Sequence, residues 1–388
     1  MKRKPDVSAR SGVAPFIAMD VMRDASALEQ AGGRKIVHLE VGQPSTAAPR
    51  IVRDAAARAL AGDRLGYTDA LGLLALRQRI ARHYGERYGT AVAPERVVVT
   101  AGSSGGFILA FLAGFDAGAR VAISEPGYPA YRNILRALGL EPVGIEVGPE
   151  TRWSMTAEAI DEAERRRGRI AGVLVASPAN PTGTVMTPEA LAALSASCEA
   201  AGRWFISDEI YHGIEFGAPA ATALAFSDEA IVVNSFSKYY CMTGWRLGWL
   251  VVPERLVRPI ERLAQNLFIA PSSIAQAAGI LAFDATDELD LNVARYAANR
   301  DFLLGELPKA GFDSFAPADG AFYLYADVRS LTNDSTEFCH RMLHEAGVAA
   351  TPGPDFDPER GGQTVRFSYA GSAAEMEEAA TRLRRWLA

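Results

Sequence analysis

Between about residues 95 and 250 the chain alternates short apolar, β-branched runs with longer segments of helical pattern. The runs are Arg96–Thr100, Arg120–Ser124, Gly172–Ser177, Trp204–Ser207 and Ile231–Asn234. The segments between them include FILAFLAGF, AYRNILRALG and TPEALAALSASCEAAG. The last opens on Thr187 and Pro188, an N-cap followed by proline in the first turn. Continuous apolar strands alternating with helices predict a mostly parallel sheet covered on both faces. Residues 255–275 and 285–310 read as helices that lead out of this unit.

The C-terminal portion has another pattern. GAFYLYADV and QTVRFSYAG read as strands, STEFCHRMLHEAG as an amphipathic helix ending at Gly347, and SAAEMEEAATRLRRWL as a capped helix. The segment FIAMDVMRDASALEQAGGRKIVHLEVG is expected to pack with this small α+β unit. The division expected is an N-terminal arm at residues 1–13, a large domain at 48–280, and a discontinuous small domain from 14–47 and 281–388. No internal repeat interrupts it.

Composition narrows the class. The 388 residues are 49% hydrophobic and 22% charged, ordinary for a soluble globular protein of two domains. A net charge of −6 without a long basic run gives no reason to expect a nucleic-acid or anionic-membrane surface. The N-terminus is basic but lacks the apolar core of a signal peptide, and no stretch is long enough to span a membrane. Cys198, Cys241 and Cys339 are scattered and odd in number, which argues against a disulfide framework and fits a reducing cytoplasm. His340 and His344 are one helical turn apart but do not form an H-E-x-x-H motif, so no metal is expected there.

Each of the strands between 95 and 250 ends in a polar cluster: TAGSSGG, SEPGYPAY, ASPANPTG, SDEIY and NSFSK. Any one of them could be an ordinary turn rich in Gly, Pro, Asn and Ser. Open α/β sheets bind ligands at the carboxyl ends of their strands, and here every such end carries chemistry. Lys238 in NSFSK follows the apolar run Ile231–Val233. Burial of its ammonium favours the neutral, nucleophilic amine, which suits Schiff-base chemistry with a carbonyl cofactor. Ser235 and Arg246 beside it suit a phosphate. Lysine, hydroxyl and arginine together suggest pyridoxal 5′-phosphate. Gly102-Ser103-Ser104-Gly105-Gly106 before an apolar helix supplies open N–H groups for that phosphate. A dinucleotide fingerprint is the rival reading, with Glu125 at a second strand end. Ser104, however, stands where the second glycine of G-x-G-x-x-G belongs.

The motifs SPANPTG, SDEIY and SFSKxxxMTGWRLG, which follow one another along the chain in the family's order, resemble those of class I aminotransferases of fold type I, the aspartate aminotransferase superfamily. The resemblance runs from about residue 14 to the end. It implies an α/β large domain with a mostly parallel mixed sheet, a small α+β domain, and a homodimer with shared active sites. It implies that Lys238 attaches the cofactor and later moves the substrate's α-proton. Asp208 would hold the pyridine nitrogen protonated, and Tyr211 and Asn180 would hydrogen-bond the ring's phenolic oxygen. Tyr128 would stack on the ring. Gly102, Ser103, Ser104, Ser235 and Arg246 would hold the phosphate, with Tyr67 reaching across from the neighbouring subunit. Arg366 would clamp the substrate α-carboxylate, assisted by the backbone amide of Gly42.

The sequence departs from the family in ways that bear on substrate. GQPST replaces the Glu-Pro-Asp-Phe that follows the glycine in many relatives, and FILAFLAGF carries no basic residue for a second carboxylate. Phe16, Ile17 and the NLFIAP segment suggest an apolar or neutral side-chain pocket, with Arg132 as a candidate mobile arginine for glutamate or 2-oxoglutarate. The expected activity is transamination between a neutral or aromatic L-amino acid and a 2-oxo acid such as 2-oxoglutarate or pyruvate. Aspartate aminotransferase proper, a C–S β-lyase or synthase on the same cofactor, and a non-enzymatic ligand sensor are the alternatives. The sensor is disfavoured because the chain has no room for a further DNA-binding domain.

Overall fold

The computed structural model describes residues 6–32 and 35–388. Part of the expected arm, residues 1–5, lies outside them, as do residues 33 and 34. A seven-stranded sheet runs in the spatial order Val97–Thr100, Gly248–Val251, Ile231–Ser235, Trp204–Asp208, Ile170–Ala176, Arg120–Glu125, Glu141–Glu146. Each expected run is a strand of this sheet. Pairing is parallel except for Gly248–Val251, which runs antiparallel to both neighbours. Two strands are additions to the sequence reading. Glu141–Glu146 is an edge strand whose EPVGIE composition lacks a continuous apolar run, and Gly248–Val251 hides inside the motif that carries Lys238.

The antiparallel return has a direct consequence for the site. The chain leaves the carboxyl end of Ile231–Ser235 and re-enters beside it at Gly248. The intervening residues 236–247, with Lys238 and Arg246, are therefore confined to that edge of the sheet. The helix Gly102–Gly114 packs there as well. It is apolar nearly all round, and Phe107, Leu109, Ala110 and Phe111 are buried, as expected of a helix laid on a sheet rather than facing water.

A second sheet is antiparallel, in the order Thr351–Pro352, Thr364–Ser368, Tyr323–Asp327, Ser314–Phe315. Register places Arg366 between Tyr325 and Thr351, in the middle of three strands. Val37–His38 pairs in parallel with Val348–Ala349, so the N-terminal segment does pack with the C-terminal portion. The final helix, Ala373–Leu387, starts with the reciprocal Ser372–Glu375 capping box. Ser335–Arg341 passes into a π-helical turn at Met342–Ala346 before Gly347, with the His340 and His344 rings 4.3 Å apart. The three cysteines are buried and unpaired. Among the described residues no helix is long and apolar enough to cross a membrane.

Candidate active site

A cavity of about 230 Å³ lies at the carboxyl edge of the large sheet and is bounded on the other side by the small one. It brings together Lys238, Asp208, Tyr211, Asn180, Tyr128, Ser103, Ser104, Arg246, Gly42 and Arg366, drawn from distant parts of the sequence.

Lys238 Nζ donates to the Gly42 carbonyl at 2.6 Å. Burial pushes its pKa down to about 8, the Arg366 and Arg246 charges act in the same direction, and Asp208 opposes them. Asp208 closes the strand Trp204–Asp208 and is 3% exposed. Burial pushes its carboxyl up to about 6, against the pull of the Tyr131 hydroxyl, the Ile210 N–H and the Lys238 charge. Ile210 N donates to Oδ1 at 3.1 Å, and the Tyr131 hydroxyl donates to Oδ2. Tyr128 caps the helix Pro129–Ala137 and presents its ring to the cavity, edge-on to Tyr131. The Tyr211 and Tyr323 hydroxyls lie 2.7 Å apart.

At the other end, the helix Gly102–Gly114 starts without a side-chain cap. Its first-turn N–H groups have no acceptor within the helix, which is the arrangement that favours an anion. Gly102 has a φ of +71°, and a Cβ there would lie 2.4 Å from Arg246 Nη2. Only glycine lets the arginine close over the helix start. Arg246 is anchored by its own Nη1, 3.0 Å from the Thr243 carbonyl.

Arg366 is 2% exposed. Its Nη1 donates to Asn180 Oδ1 at 2.9 Å and its Nη2 to the Glu40 carbonyl at 2.5 Å. The guanidinium carbon lies 4.3 and 4.7 Å from the ring centroids of Tyr323 and Phe356. Its Nε is buried without a partner among the described residues, a donor left over for an incoming anion. At Gly42, an added Cβ would overlap the Tyr323 hydroxyl at 1.7 Å, so the close approach of this loop requires glycine.

Several expectations need correction. The Ser235 hydroxyl is turned into the fold, 3.0 Å from the Leu247 carbonyl and 2.9 Å from Ser237 Oγ, and it is Ser237 that lines the cavity. Arg132 does not line the cavity: it is 6% exposed, ion-paired to Glu125 at 3.2 Å and bonded to the Asp355 carbonyl at 3.0 Å. Ile17 and the NLFIAP segment do not line this chain's cavity, whereas Phe16, Ala18, Met19 and Val41 do. Tyr67 is 86% exposed and away from this chain's cavity. Its loop is nonetheless fixed, because Ser273 Oγ donates to the Gly66 carbonyl and Gln276 Nε2 to Thr68 Oγ1. Leu267 and Ile269, near the same fixed segment, are also exposed.

Sequence reasoning missed Tyr131, Tyr323 and Ser237. Tyr131 had a legible signal: it follows Tyr128 by three residues at a helix start, so the two share a face. Tyr323 had none, because only the small sheet brings its strand to Tyr211.

The family model for aminotransferase class I and II matches residues 34–383. A valine–pyruvate aminotransferase of Mycobacterium tuberculosis is 52% identical over 385 residues, covering 98% of each chain. The crystal structure of an aminotransferase from the same organism superposes with a TM-score of 0.96 at 51% identity, covering 99% of both chains. The aspartate aminotransferase of Thermus thermophilus with maleate gives a TM-score of 0.92 at 30% identity, over 98% of this chain and 100% of the other. On these matches, this chain is a member of the class I and II aminotransferases, an α/β transferase of the pyridoxal-phosphate aminotransferase fold.

Proposed function

We propose that this enzyme moves an amino group from a neutral L-amino acid, with a short aliphatic side chain preferred, to a 2-oxo acid such as pyruvate. The observation that carries the reading is the set of cationic groups on the cavity. Lys238, Arg246 and Arg366 line it, and each has a role in cofactor or α-carboxylate binding. Among the described residues no fourth cation lines it to meet a side-chain carboxylate, and Arg132 is held elsewhere. Burying an unpaired carboxylate costs several kcal/mol, roughly 2–7 for an uncompensated polar group and more for a charge. The apolar Phe16, Ala18, Met19 and Val41 remain to receive the donor's side chain. The valine and pyruvate in the name of the 52%-identical relative agree with this chemistry.

Class I and II aminotransferases in general use pyridoxal phosphate, and the residues here fit it. Lys238 supplies the amine, the Gly102 helix start with Ser103, Ser104, Ser237 and Arg246 supplies an anion cradle, and Asp208 supplies a buried carboxylate. When bound, the cofactor supplies a carbonyl that condenses with amines and a pyridinium that accepts electron density. A cationic ring nitrogen held by Asp208 would lower the carboxyl pKa again and favour its ionised form. Tyr128 would pack on the ring, and Tyr211 and Asn180 would offer donors to its phenolic oxygen. Arg366 orients the donor by its α-carboxylate, with the Gly42 loop alongside. Lys238 Nζ would take up the α-proton, and the lowering of its pKa by burial and the two arginines raises the share of neutral amine relative to an ordinary lysine.

The site lies between the two sheets, and we assign residues 48–280 to a large domain and 14–47 with 281–388 to a small one. The exposed Tyr67 on a fixed loop supports a homodimer in which that hydroxyl completes the partner's phosphate site. Transamination is favoured over β-elimination by the aminotransferase names of the relatives. The deciding assay compares kcat/KM for valine, alanine, phenylalanine, glutamate and aspartate with pyruvate as acceptor. The reading expects neutral donors to exceed aspartate by at least about a hundredfold. A preference for aspartate, or release of ammonia and pyruvate from a donor, contradicts it.

A further inference from the structure

The helix Ile17–Gln30 begins at Phe16, a residue with no hydrogen-bonding side chain to cap it. The cap comes instead from the far end of the chain. Asp355 Oδ1 accepts from Ile17 N at 3.0 Å and Oδ2 from Ala18 N at 3.1 Å. Both carboxylate oxygens are committed to the helix start, and Asp355 is 2% exposed. The short turn that carries it, Gly353–Asp355, and Phe356 just after it make three further contacts with segments that flank or line the cavity. The Asp355 carbonyl accepts from Arg132 at 3.0 Å. The Phe356 carbonyl accepts from Gly127 N, next to Tyr128, at 3.1 Å. The Phe356 ring lies against the Arg366 guanidinium.

One turn thus fixes the start of the first helix relative to the ring-facing tyrosine and the carboxylate-binding arginine. What the helix start delivers to the cavity is Phe16, Ala18 and Met19. The Phe16 ring meets Tyr128 edge-on at 5.8 Å. Arg366, Lys238 and Asp208 fix the reacting end of the donor, so these apolar residues set the room left for its side chain.

We propose that Asp355 is a positioning residue for donor selection: by capping the first helix it holds Phe16 and Met19 as the wall that limits the donor's side chain to short aliphatic groups. The proposal rests on the aminotransferase reading above. Asp355 touches no reacting atom, so its loss changes which donors fit rather than the proton transfer itself. Free N–H groups at Ile17 and Ala18 let the first turn fray and the Phe16 wall recede.

The test uses the holoenzyme and two variants. Asp355→Asn keeps the volume but replaces one acceptor oxygen by a donor, and Phe16→Ala removes the wall while leaving the cap. Amide hydrogen exchange is followed at residues 17–22, with the strand Ile231–Ser235 as reference. Values of kcat/KM are measured for alanine, valine and phenylalanine. In Asp355→Asn, exchange at 17–22 is expected to rise about tenfold with the reference strand unchanged. The phenylalanine-to-valine ratio of kcat/KM is expected to rise about tenfold through KM, with alanine altered less than about twofold. Phe16→Ala is expected to shift the ratio in the same direction without changing exchange. Unchanged exchange in Asp355→Asn, or an equal loss for all three donors, overturns the proposal. Should Asp355→Asn fail to fold, an unchanged ratio in Phe16→Ala overturns it. A wild-type enzyme that transaminates none of the three donors overturns the functional reading, while the exchange result still decides whether Asp355 holds the helix.

Discussion

Tyr131 donates its hydroxyl proton to Oδ2 of Asp208, so the buried carboxylate at the end of its strand is held by a phenol from the helix Pro129–Ala137, which follows a strand two places away in the sheet. The other oxygen is occupied by the Ile210 N–H. These donors oppose burial, which still leaves the Asp208 carboxyl raised to about 6. Tyr131→Phe removes one of them. A hydrogen bond to a charged group contributes about 1.5–3 kcal/mol, so kcat is expected to fall roughly ten- to hundredfold near neutrality. The sign of the pH effect follows from the ionised form being the useful one. Without the phenol the carboxyl pKa moves higher, so the loss deepens at low pH and shrinks as pH rises. A pH–rate profile whose acid limb does not move shows that Tyr131 is only a packing residue.

Lys238 in the cofactor-free protein is expected to titrate near pH 8, below the 10.5 of an ordinary lysine, because burial and the two arginines disfavour its charge. The rate of its modification by a small amine-directed reagent should rise with pH and level off above about 8. Replacing Arg246 by Gln should move that midpoint upward. A midpoint at the ordinary lysine value contradicts the account of this group.

Arg366→Lys keeps the charge but loses the planar fork that reaches Asn180 and the Glu40 carbonyl and packs against Tyr323 and Phe356. The KM for both amino acid and oxo acid is expected to rise at least about tenfold. Cofactor affinity is expected to stay within about twofold, since Arg366 lies away from the phosphate cradle. A KM left unchanged would move the α-carboxylate to another group.

Tyr67→Ala should lose activity, and so should Lys238→Ala. Mixed dimers of the two carry one site with both lesions and one with neither, so activity should partly return. Lys238→Ala mixed with Arg366→Ala should not recover, because those residues share a cavity within one chain. Absence of recovery in the first mixture, with subunit exchange demonstrated, would place Tyr67 in its own chain's site.

The large sheet was legible because its inner strands are buried on both faces and therefore read as unbroken apolar runs, as in Ile231–Val233. Glu141–Glu146 was not, because an edge strand can alternate polar and apolar residues. Lys238, Asp208 and Asn180 were legible because polar groups at the ends of such runs need a reason. Position within a loop was harder: Ser235 and Ser237 are equivalent in sequence, and only the Leu247 carbonyl shows which one turns inward. Contacts between remote segments left no local trace at all. Nothing near Phe16 announces Asp355, and nothing near Arg132 announces the pairing that removes it from the cavity.

The central claim is that Lys238 carries pyridoxal phosphate in a site built for transamination. Borohydride reduction of the holoenzyme followed by peptide mapping tests it most directly. The account predicts one pyridoxyl-phosphate adduct per chain, on Lys238, and its disappearance when the enzyme is first incubated with excess valine, which converts the cofactor to a form no longer attached to the lysine. An adduct on any other lysine, or an adduct at Lys238 that valine and every other neutral amino acid leave untouched, would contradict it.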